Sequence, residues 1–72
     1  MLAQWIGDFV GRMHRHRIPI TQISQEMEVT REYVSMILNG HREPAGISDR
    51  MNAALDRIIE RQNQQINEQE GY

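Results

Sequence analysis

The chain has no cysteine and no lysine, two prolines and four aromatic side chains among its 72 residues. Without cysteine there is neither a disulfide framework nor a Cys-based zinc site. A chain this short is near the lower limit for folding on an apolar core alone, so one domain is expected. No apolar run approaches the length that spans a bilayer, and the opening MLAQWIGDFVG lacks the basic start and small-residue cleavage site of a signal peptide. The expectation is a soluble, cytoplasmic protein without a membrane partner. Also missing are a Gly-rich phosphate loop, a thiol nucleophile and a plausible triad, because His14 and His16 sit at one helix end and His41 in a loop. These absences argue against an enzyme, and no cofactor is expected.

Charge is informative through its distribution. The net value is −2 from eight Arg and ten acids, which is not the basic balance typical of a nucleic-acid binder. Residues 1–46 hold five Arg and five acids, and residues 47–72 hold three Arg and five acids. The stretch GRMHRHR, Gly11 to Arg17, carries three Arg and two His with no acid. His14 and His16 are two residues apart and so lie on different helix faces, which disfavours a metal site. Added positive charge at a helix C-terminal end suits them better. Total charge therefore neither supports nor excludes DNA as a partner.

What the chain does have is helical spacing. No segment alternates with β-branched residues, so strands are not expected. Leu2, Ile6, Phe9, Val10 and Met13 share one stripe, with Trp5 beside it, which predicts a helix from about residue 2 to 15. Pro19 disfavours a helical Ile18 but suits a first helical turn, so a second helix is expected from Pro19 or Ile20 to Met27, burying Ile20, Ile23 and Met27. Thr30 is a good N-cap for a third helix, and Asn39-Gly40 supplies its end. HREPAG, His41 to Gly46, reads as a loop. A last helix opens at Ser48 or Ala45-Gly46, with Ile47, Met51, Ala54 and Ile58 in one stripe and Leu55, Ile59 and Ile66 in a second. Past Gln62 the apolar spacing thins, and fraying is expected. Residues 1–62 form the domain, and residues 63–72 form a polar tail, partly helical or disordered.

Two short helices joined by a three-residue turn can cross steeply only if apolar side chains fill the inner angle and a small residue sits where the axes approach. Ile23, Met27, Val29, Val34 and Ile37 supply the first, and Ser24 the second. Glu28 stands where the turn needs a left-handed backbone. So spaced, ITQISQEMEVTREYVSMILNG resembles the helix-turn-helix of the lambda-repressor/Cro-like (XRE-type) family, over about residues 18–44, with the motif at about 20–39. VSMILNGHREP looks like the end of the recognition helix and following loop of small prophage-type regulators. The resemblance implies an all-α, compact bundle of four to five short helices. Two departures stand out: Glu28 replaces the usual turn glycine, and Ile20 stands where the family often has a phosphate-contacting Gln.

The resemblance also implies a mechanism. The outer face of helix 31–39 would enter the major groove of double-stranded DNA, where mixed chemistry reads base edges. Arg31 can donate twice to guanine. Glu32 can accept from cytosine or orient Arg31, Met36 can pack on a thymine methyl, and Ser35 can reach base edges. Backbone contacts would come from Arg17, Thr21, Gln22, Thr30, Tyr33, Asn39, His41 and Arg42, with the helix N-termini at Thr21 and Thr30 offering N–H groups to phosphate. Plainer readings stand beside these. Arg31 and Glu32 suit any solvated helix start, Met36 any partly covered surface, and Tyr33 packing as well as DNA.

The implied function is a sequence-specific transcriptional regulator, a repressor by type, bacterial or phage-encoded and nucleoid-associated in use. One motif reads few base pairs, so a homodimer on a palindromic operator is expected. Leu55, Ile59 and Ile66 are the candidate dimer interface, unless both stripes of the last helix are buried in one wide core. No small-molecule ligand is expected in so short a chain. The alternative is a protein-interaction module, antitoxin-like or a phage adaptor, using the same fold without reading DNA.

Overall fold

The computed structural model describes residues 3–70, with side chains described for residues 3–64. It is all-helical among these residues: α1 Gln4–His16, α2 Ile20–Met27, α3 Arg31–Leu38 and α4 Ile47–Glu70. None of the four is long and apolar enough to cross a membrane. Their order and the bounds of the first three agree with the sequence to within one or two residues, as does the start of the fourth. α4 runs on to Glu70, the helical of the two states expected for the tail, because Arg61, Gln62 and Gln64 are straight-chain residues that cost little in a helix even without apolar contacts.

The helix ends follow from local chemistry. Pro19 precedes α2 with an extended backbone, φ −79° and ψ 162°, the φ being held by its ring. Thr30 caps α3, its hydroxyl oxygen accepting from the Tyr33 N–H at 3.1 Å. Three of the helices finish alike. After α1, Arg17 N–H donates to the His14 carbonyl and Ile18 N–H to that of Met13. Glu28 and Val29 do the same after α2, to Gln25 and Ser24, and Gly40 and His41 after α3, to Ile37 and Met36. This paired pattern needs a left-handed residue at its first position. Gly40 takes it without strain at φ 80°, whereas Arg17 at φ 58° and Glu28 at φ 59° take it with a side chain attached. Glu28 thus has the left-handed backbone expected of it.

All four helices contribute to one core. Phe9 and Met13 from α1, Ile23 from α2, Val34 and Ile37 from α3, and Ile47, Met51, Leu55 and Ile58 from α4 are buried, with Ile18 from the first turn among them. Trp5 is half-buried and packs edge-on against Phe9, ring centroids 6.1 Å apart. Ser24 is the one polar residue in this interior among the described residues, 5% exposed, and its hydroxyl donates to the Thr21 carbonyl at 2.8 Å. α4 packs against both α1 and α2, and that explains its two stripes. Leu55 is fully buried within the protomer, so it is not available to a dimer seam, and Ile59 is half-buried against the same core. The Ile66 side chain lies outside the described residues.

Two polar clasps hold α4 in place. Arg12 donates to Asn52 Oδ1 at 3.2 Å and pairs with Asp56. On the other side, Glu26 of α2 accepts from Arg57 and Arg61. The Glu26 side chain is only 15% exposed there. Gln62 closes the set, donating to the His16 carbonyl at 3.2 Å.

Candidate nucleic-acid interface

α3 is eight residues long, and its burial pattern divides it cleanly. Val34 and Ile37 are fully buried, while Tyr33 and Leu38 are half-buried against the core. Arg31, Glu32 and Asn39 are exposed, and Ser35 and Met36 are half-buried. The helix therefore offers solvent a short strip of mixed chemistry: a guanidinium and a carboxylate at its start, a hydroxyl and a thioether in its middle, and an amide at its end. Asn39 Nδ2 donates to Ser35 Oγ at 3.2 Å, so the amide and hydroxyl are pre-positioned one turn apart. Among the described residues, neither Arg31 nor Glu32 is in an ion pair. Tyr33 is engaged in packing, as its plainer reading has it.

The flanking residues are placed by the turns. Arg17 is exposed at the left-handed position after α1, and Thr21 and Gln22 lie in the first turn of α2. α2 starts without any side-chain cap. At α3 the cap is present and takes the Tyr33 N–H, so Arg31 and Glu32 supply the N–H groups that lack an intrahelical partner. His41 and Arg42 are exposed in the loop beyond α3. The basic stretch ending α1 is smaller than its composition suggests, because Arg12 is turned onto α4. Arg15 and Arg17 remain exposed, and His16 is half-buried.

Sequence spacing did not disclose a groove of about 730 Å³ where the end of α1, the start of α2 and the end of α3 meet. Val10, Met13, Ile18, Ile20 and Leu38 line it, with His14, Arg17 and Asn39 also present. Val10 lies in the expected stripe of α1, and Ile20 and Met27 were expected to be buried, but the structure leaves all three, and Leu38, only half-covered. No family model, curated protein or solved structure matches the chain.

Proposed function

We propose that the chain is a sequence-specific reader of double-stranded DNA, a transcriptional regulator of repressor type, with α2 and α3 as its helix-turn-helix. The observation that carries this reading is the left-handed Glu28 between two eight-residue helices, which turns the chain so that α3 buries Val34 and Ile37 and leaves its mixed polar strip outward. A major groove rewards such a strip, since its base edges alternate donors, acceptors and a methyl group. Arg31, Glu32, Ser35 and Met36 are the proposed base readers. Arg17, Thr21, Gln22, Thr30, Asn39, His41 and Arg42 are proposed for the phosphates, with the uncapped start of α2 offering backbone N–H groups. Tyr33 supports α3 from within the fold and has at most its hydroxyl for DNA.

Specificity on a genome requires more base pairs than one such helix covers, so the proposed reader is a homodimer on a palindrome. With Leu55 in the core, its seam would draw on Ile59 and Ile66 of α4. The test is selection of bound duplexes from a random pool at low and moderate salt. Recovery of a palindrome with half-site centres about 10–11 base pairs apart is the expected result. No enrichment at either salt would discard the reading in favour of a protein-binding module.

A further inference from the structure

The groove between α1, α2 and α3 is not explained by DNA. Phosphate and sugar are contacted by hydrogen-bond donors, and a floor of Val10, Ile18, Ile20 and Leu38 offers them nothing. Apolar grooves of this size, with a few placed polar groups, are where side chains of a ligand are buried. The one full charge in its lining is positive, that of Arg17, beside the polar His14 and Asn39. Among the described residues no acid lines the groove, whereas a guanidinium does. The uncapped start of α2 at Pro19 and Ile20 borders the same space and adds the positive end of a helix dipole. A complementary occupant therefore carries apolar side chains flanked by carboxylates.

We propose that this groove is the docking site for an acidic amphipathic helix of a protein partner, seated by apolar side chains one turn apart. Arg17 and Asn39 belong both to the groove and to the proposed phosphate contacts. A helix seated there takes those two side chains away from DNA, so partner and duplex exclude each other. Docking itself stands on the groove alone; the exclusion rests on the DNA-reading proposal. Such competition is a direct means of switching a regulator off.

The experiment uses the full chain and a display library of helices about four turns long. Each has leucine at helical spacing on one face and a random choice of Glu, Lys or Ser on its flanks. Enrichment of Glu over Lys by at least tenfold is expected, with Leu38→Glu abolishing capture and Arg17→Glu erasing the preference for Glu. Thermal melts establish that both variants fold, and amide-shift mapping on the wild-type chain places the selected peptide at Val10, Ile20 and Leu38 whether or not they do. Equal enrichment of Glu and Lys, no enrichment, or shifts mapping elsewhere would overturn the proposal. So would concentration-dependent self-association that Leu38→Glu abolishes, since a second copy would then fill the groove. The selected peptide is also expected to release a duplex recovered from the random pool. Capture of acidic helices without that release, or without any selected duplex, removes the exclusion and leaves the docking site.

Discussion

Arg57 Nε donates to Glu26 Oε2 at 2.8 Å and so ties the last turn of α2 to the middle of α4. Arg61, one turn further along α4, holds the other carboxylate oxygen. α2 is the element against which α3 is set, so this clasp fixes the orientation of the outward strip relative to the body of the molecule. It also has a consequence for acid stability.

The hydrogen bond from Arg61, then that from Arg57, lowers the Glu26 pKa from its ordinary 4.5 to about 2. A depressed carboxylate stabilises the fold fully above its unfolded value and loses that contribution as pH falls through its folded one. The window is therefore about pH 4.5 down to 2. Glu26→Gln is expected to lower the urea midpoint at pH 7 and to flatten its fall across that window. Both arginines are half-exposed, so molar salt should shrink the difference between wild type and variant. Unfolding curves at several pH values check this. Identical pH profiles for the two proteins would show that the clasp does not couple to folding.

Glu28 holds a left-handed backbone at φ 59°, which costs a residue with a Cβ about 1 kcal/mol. Glu28→Gly removes that strain but loosens the unfolded chain, so the expected effect on stability lies between neutral and about 1 kcal/mol favourable. Glu28→Val should go the other way, since a β-branched side chain fits this conformation worst. A clear loss of stability in Glu28→Gly, measured by urea unfolding, would count against the turn as described.

Leu55 and Ile59 separate two roles for α4. Leu55 is fully buried, and Leu55→Ala is expected to cost about 2–5 kcal/mol. For 72 residues the whole stability is on the order of 4–11 kcal/mol, so the variant loses a large share of it and its urea midpoint should fall clearly. Ile59 is half-buried, and Ile59→Ser should unfold later in urea than Leu55→Ala. If the dimer seam uses Ile59, that variant should also sediment as a monomer where the wild type does not.

The same pair shows how far the sequence could be read. Proline, threonine and Asn-Gly act within a few residues, so the bounds of α2 and α3 and the left-handed Glu28 were legible. The stripes of α4 were legible too, but not their allocation. Whether Leu55 faces a second copy or the interior depends on α1 and α2 packing on either side of α4, a fact about tertiary arrangement. The Glu26 clasp spans 31 and 35 residues and leaves no periodic trace. The groove arises where three helix ends meet, and no one end by itself shows that its apolar residues stay half-covered. Of the candidate site, exposure of Arg31, Glu32 and Asn39 followed the helical spacing, whereas the bond between Asn39 and Ser35 and the inward engagement of Tyr33 required the fold.

Arg31 and Arg42 should fail differently when replaced, and the difference tests the division between reading and gripping DNA. Both are exposed, and neither is in an ion pair among the described residues, so removing them costs the fold little. Arg31 stands at the first position of α3, where a guanidinium meeting guanine makes two bonds that other bases do not offer. Arg31→Ala should therefore weaken the selected duplex by about 1–3 kcal/mol and relax one position of each half-site. Arg42 lies in the loop beyond α3, where it is proposed to meet phosphate alone. Arg42→Ala should weaken all duplexes alike and reduce the salt dependence of binding by about one released ion per protomer, with the preferred sequence unchanged. Repeating the pool selection with each variant distinguishes the two. If Arg31→Ala weakens every sequence equally, its guanidinium grips the backbone, and base reading must be reassigned to Glu32, Ser35 and Met36.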